Sequence, residues 1–178
     1  MKPIIKLRRV IFLIGLSALV TSCVTTRSGE SGGSYSSYAS RVPSHIDTNE
    51  KTIVVDPRLH VWAAYNSNGD IVNSGLASAG SSWCSDLGKP CHTSTGTFRI
   101  QSLGGPDCVS SLFPLGIGGS PMPYCMFFHD GQALHGVPPN EIGEGNYSHG
   151  CVRLHVSDAE WIRFNFAETG TKIIIRPY

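Results

Sequence analysis

Charge is scarce in this chain. Asp, Glu, Lys and Arg together supply 15% of its 178 residues, 14 basic against 13 acidic, and the basic residues form no stripe. That excludes the electrostatic footprint of a nucleic-acid binder. Long apolar runs are scarce too. The longest, Val10 to Val20, has 11 residues, too few for an ordinary membrane-spanning helix. No CxxC pair occurs, so a zinc reading of His129, His135, His149 and Cys151 finds no matching signature. No metal or organic cofactor is expected. There is no internal repeat. With 20 Gly and 11 Pro, few stretches can hold a long helix, and the segment from Pro138 to Tyr147 reads as a loop.

What is present begins with a basic start (Lys2, Lys6, Arg8, Arg9), the short apolar run, and then Thr21-Ser22-Cys23. This is the layout of an export signal. Its end, Val20-Thr21-Ser22-Cys23, resembles a bacterial lipoprotein signal, with cleavage after residue 22 and lipid on Cys23; an ordinary secretory signal is the alternative. Loss of residues 1–22 removes four basic residues and leaves ten against 13 acidic, about −3. Val24 follows the cysteine. By resemblance to Gram-negative sorting, the anchor would sit on the periplasmic face of the outer membrane. Residues 23–50 are rich in Ser and Gly and are expected to be a flexible tether.

The chemistry concentrates in residues 133–155. His135-Gly136 is followed by the Gly/Pro loop and then by Ser148-His149-Gly150-Cys151-Val152-Arg153. Cysteine is nucleophilic as thiolate and needs a base or positive charge nearby. Histidine is the usual partner. Gly150 can take unusual dihedrals, so that the amides around it point at a developing oxyanion. Read without its neighbours, Cys151 would be a small buried hydrophobe or half of a disulfide. Glu141 and Glu144 could form a glycosidase carboxylate pair, but their loop suits a solvated face better.

A histidine, a variable loop, Ser/Thr-His-Gly-Cys and an arginine two residues on resemble the L,D-transpeptidase catalytic domain family of bacterial cell-wall enzymes. The resemblance implies that Cys151 is the nucleophile, His135 its base and the Gly136 carbonyl the group that orients the imidazole. It places Ser148, His149, Gly150 and the Cys151 amide around the substrate carbonyl. It gives Arg153 a substrate-carboxylate or loop-bracing role and puts Tyr124 near the donor-peptide groove. The substrate implied is a peptidoglycan tetrapeptide stem, cut before its terminal D-alanine. The acyl group would pass to another stem, as a 3–3 crosslink, or to another amine. Hydrolysis of stem peptides or wall-protein links by an L,D-carboxypeptidase or endopeptidase is an alternative; an inactive peptidoglycan-binding lipoprotein is another. The implied protein is a monomer.

The expected domain, residues 51–178, is mainly β, with the family's β-sandwich-like fold and one short helix near the C-terminus. Strands are expected from Thr52, through Tyr65, after a hairpin turn at Asn66-Ser67-Asn68-Gly69, at Thr95–Ile100, Pro123–Phe128, Ala133–Gly136 and Thr171–Arg176. The helix covers 157–166, with Ser157 as N-cap and Glu160 completing a capping box. With Cys23 and Cys151 set aside, Cys84, Cys91, Cys108 and Cys125 form an even set in an oxidising compartment. Four cysteines allow three pairings; Cys84–Cys91 with Cys108–Cys125 closes two local loops and is preferred.

Overall fold

A computed structural model describes residues 35–178. The export signal, Cys23 and the start of the tether lie outside the described residues. Among the described residues, nine strands form two sheets. The first has five strands in the order β3-β2-β1-β9-β4: β1 is Thr52–Asp56, β2 Val61–Tyr65, β3 Ile71–Leu76, β4 Gly96–Arg99 and β9 Lys172–Ile175. The second has four, β5-β6-β7-β8: Ser102–Leu103, Met126–His129, Gln132–Val137 and Val152–His155. This is the expected mainly-β sandwich.

Alternation along each strand builds the core between the sheets. Ile53, Val55, Trp62, Ala64, Ile173 and Ile175 face inward from the first sheet; Met126, Phe128, Leu134, Val152 and Leu154 answer from the second. Helix α2 (Val156–Trp161) adds Ala159 and brings Trp161 against Trp62, ring centroids 6.3 Å apart. The hairpin turn forms as its Asn-Gly content predicts. Gly69 takes φ +87°, and the Asn66 side chain accepts from the amides of Asn68 and Asp70 at 2.9 and 3.0 Å.

Two local expectations are corrected. Residue 155, not Ser157, caps α2, and no side-chain cap bond forms; the helix then widens into a π turn over Ile162–Phe166. The segment expected as tether up to residue 50 is partly structured. It opens with a one-turn helix α1 (Tyr35–Ala39). Val42 and Ile46 then pack on Val54, Ala63 and Tyr65, the outer face of the first sheet. The Tyr65 hydroxyl donates to the Pro43 carbonyl at 2.8 Å. Two apolar side chains in a Ser-rich stretch suffice, because the outer face of β1 and β2 is itself apolar and must be covered.

Candidate active site

The site sits on β7 and β8. These strands run parallel, with Leu134 opposite Val152 and His135 opposite Arg153. Leu134, Val152 and Leu154 point into the core. The two-residue period therefore turns Ala133, His135, Cys151 and Arg153 to the other face of the sheet. A base and a thiol 16 residues apart in sequence thus reach one face of adjacent strands. Gly136 is fixed by packing: a Cβ there would lie 2.9 Å from Val156 Cα and 3.3 Å from Pro123 Cγ.

His135 is buried, 6% exposed. Its Nδ1 lies 3.0 Å from the Gly136 carbonyl oxygen, which can only accept, so Nδ1 carries the proton and donates. Nε2 is left as a lone-pair acceptor. Burial disfavours the imidazolium and brings the pKa down to about 4, against a smaller upward pull from the Gly136 carbonyl. The ring is therefore neutral at pH 7. Cys151 is half-buried and is the free cysteine among the described residues. Burial pushes its thiol pKa up, and a backbone hydrogen bond with Ala133 and the Arg153 charge pull the other way. Its sulfur lies 4.0 Å from the Gly131 carbonyl oxygen. Thiol and imidazole thus rest as a neutral pair.

The motif loop is held from both sides. Ser148 Oγ accepts from the Gly150 amide at 3.0 Å and donates to the Cys151 carbonyl. Segment 78–81 runs along it: Ser148 N donates to Ala79 O at 3.1 Å, Ser81 N to Ser148 O at 2.8 Å, and Ser78 exchanges two backbone bonds with Arg153. Gly150 takes φ +124°, where an L side chain is strained. The Arg153 guanidinium donates to Glu141 O at 3.3 Å across the loop. Glu144 forms a bidentate pair with Arg41 at 2.8 Å and lies on the exposed loop face, as expected of it. The Tyr124 hydroxyl donates to Glu160 in α2 at 2.9 Å, which also keeps its pKa above the usual phenol value. The disulfides are Cys84–Cys91 and Cys108–Cys125.

Asp86, Thr93 and Tyr178 were not legible as site residues in the sequence. Asp86 Oδ2 is 2.9 Å from His149 Nε2, and that contact holds its carboxyl below the usual range. The Phe113 ring lies against the His149 ring, tilted by 33° with centroids 4.6 Å apart. The only hint in the sequence was the Cys-rich excursion 79–94, whose composition marks a loop without saying what it touches.

This geometry corrects the expected chemistry. The sequence leads to the expectation of an L,D-transpeptidase acting as a cysteine acyltransferase that joins stems through 3–3 crosslinks. Among the described residues, one group of cysteine, histidine and carboxylate atoms lies within 4.8 Å of one another: Cys84, Asp86 and His149. Cys84 is bonded to Cys91, so this group holds no thiol and cannot form a thioester. His149, expected beside the substrate carbonyl, is engaged by Asp86 and Phe113. Cys151 stands outside that group, and no hydrogen bond among the described residues joins it to His135. The expectation of acyl transfer to a second stem does not hold.

Comparisons with known proteins agree with the fold. An L,D-transpeptidase from Xylanimonas cellulosilytica superposes with a TM-score of 0.64 at 22% identity, over 75% of this chain and 64% of that one. An L,D-transpeptidase from Mycobacterium smegmatis gives 0.58 at 22%, over 72% and 59%. L,D-transpeptidase 3 from Mycobacterium tuberculosis, solved with a faropenem-derived adduct, gives 0.57 at 19%, over 71% and 60%. The chain thus spans about three fifths of the length of these structures. No curated protein matches. The profile of the YkuD L,D-transpeptidase catalytic domain matches residues 50–175, a span that holds both sheets, His135 and Cys151, and the chain belongs to that family.

Proposed function

We propose that the domain is a peptidoglycan stem-peptide hydrolase of the L,D-carboxypeptidase or endopeptidase class, with Cys151 as nucleophile, His135 as base and water as acceptor. The observation that carries this reading is the placement of the one free thiol among the described residues on the same sheet face as a neutral imidazole whose Nε2 is unprotonated. A neutral pair needs no preformed ion pair. Cys151 Sγ attacks the peptide carbonyl while its proton passes to His135 Nε2. The imidazolium then protonates the leaving amine as the C–N bond breaks. Water, deprotonated by the same imidazole, resolves the thioester and returns the thiol. Water as acceptor is favoured by the pairing of two carboxylates near the motif loop, Asp86 with His149 and Glu144 with Arg41, which takes both from any role in seating a second stem's amine.

A second reading, stem-peptide binding without turnover, is supported by the raised thiol pKa and by the missing Cys151–His135 hydrogen bond. Incubation with purified disaccharide-tetrapeptide followed by chromatography separates the two. The hydrolase yields tripeptide and D-alanine. Unchanged tetrapeptide that is nevertheless retained on the protein supports binding alone, and a crosslinked dimer contradicts both. In the whole chain, Cys23 would carry lipid and hold a monomer at the periplasmic face of an outer membrane. Radiolabelled palmitate entering the wild type and Cys23→Ala equally would remove that anchor.

A further inference from the structure

We infer that Thr93 and Tyr178 are positioning residues that aim the Cys151 amide at the substrate oxyanion; the inference rests on the reading of Cys151 as nucleophile. Thr93 is fully buried, in the irregular segment Cys91-His92-Thr93-Ser94 that precedes β4. Its hydroxyl accepts from the Gly80 amide at 2.9 Å and donates to the Gly150 carbonyl at 2.9 Å. Its own amide donates to the Tyr178 hydroxyl oxygen at 2.9 Å, and that hydroxyl donates to the Gly80 carbonyl at 2.9 Å. The His92 ring stacks on Tyr178, centroids 4.0 Å apart at 19°. Three residues from distant parts of the chain, Gly80, Thr93 and Tyr178, thus close one hydrogen-bonded ring. Only glycine fits at Gly80, since a Cβ would run into the Cys91 carbonyl and lie 2.6 Å from Thr93 N.

The Gly150 carbonyl belongs to the Gly150–Cys151 peptide. In a planar trans peptide the C=O and the following N–H point in opposite directions. A hydroxyl that fixes the Gly150 oxygen therefore fixes the Cys151 N–H, aimed away from Thr93. No hydrogen bond among the described residues uses that N–H. The other end of Gly150 is held by Ser148 Oγ, so this left-handed glycine is clamped at both of its polar atoms. Clamping matters here because φ +124° is a conformation that glycine leaves readily. A donor fixed before the tetrahedral intermediate forms avoids reorganisation at the moment of reaction.

The test separates aim from thiol reactivity. Acylation of Cys151 by p-nitrophenyl acetate, followed by the phenolate burst and intact mass, passes through an oxyanion; alkylation by iodoacetamide does not. Thr93→Val should slow acylation by on the order of 10²-fold and leave alkylation within about twofold. Thr93→Ser should restore acylation to within about fivefold. Tyr178→Phe, which keeps the Thr93 hydroxyl, provides a second variant and should slow acylation by roughly tenfold, a partial loss of the same donor effect. Acylation by Thr93→Val within threefold of wild type would overturn the inference, as would equal losses of acylation and alkylation, the mark of a merely structural role. If the wild type acylates but releases no tripeptide from a stem, the hydrolase reading fails while the Thr93 ratio still decides this one. A wild-type thiol that alkylates but never acylates sinks both.

Discussion

His135 should make the protein acid-sensitive in a way that one substitution removes. Its folded-state pKa is about 4 because burial excludes the imidazolium, while an unfolded histidine titrates near 6.5. Above pH 6.5 both states are neutral there and the group adds nothing to pH dependence. As pH falls below 6.5 the unfolded chain takes up a proton that the folded chain refuses. Stability therefore drops at about 1.4 kcal/mol per unit until the folded pKa is reached, about 3 kcal/mol in all. Between pH 7 and pH 5 the loss assigned to this residue is about 2 kcal/mol. His135→Asn retains an N–H that can reach the Gly136 carbonyl but cannot titrate. Urea unfolding of both proteins at pH 7 and pH 5 gives the difference directly. The variant is expected to lose about 2 kcal/mol less than the wild type across that interval. Equal losses would refute a neutral, buried imidazole, and with it the competence of His135 as a base throughout the range from pH 5 to 8.

Other outcomes follow from packing and covalent closure. Replacing Cys108 and Cys125 by serine opens a loop of sequence separation 17 and should cost about 3 kcal/mol in the same urea assay. Gly75→Ala pushes a methyl into the Asp158 carboxylate and to 2.6 Å from Trp62 Nε1, against the 3.1 Å hydrogen bond between those two side chains. The expected destabilisation is about 1–3 kcal/mol, visible as a lower thermal midpoint with turnover per folded molecule unchanged.

The parts of the fold that the sequence announces are those set by local pattern. The β1–β3 meander follows from alternation and the Asn-Gly turn, and the β7 segment from its short apolar run before His135. Strand β8 is not legible because Val152–His155 is only four residues long and continues the Ser-His-Gly-Cys motif without a turn signal to mark its start. Ser157 and Glu160 carry a capping-box pattern, yet the chain enters α2 directly from β8 at His155, so the pattern does not mark the cap. His135 and Cys151 are legible because each lies in a short contiguous motif, His135 on β7 and Cys151 directly before β8. The groups that hold them are not. Asp86 acts on His149 from 63 residues away, and Tyr178 reaches Gly80 across 98; no local composition encodes such contacts. For the same reason the motif alone does not show that burial leaves the Cys151 thiol and the His135 imidazole neutral at rest.

The most direct measurement is digestion of disaccharide-tetrapeptide in oxygen-18 water by the wild type and by Cys151→Ala, followed by mass spectrometry of the products. A Cys151 hydrolase places one oxygen-18 atom in the new carboxyl group of the tripeptide, and the alanine variant releases none. Labelled tripeptide from Cys151→Ala, or dimer formed by the wild type in place of tripeptide, would contradict hydrolysis through this thiol.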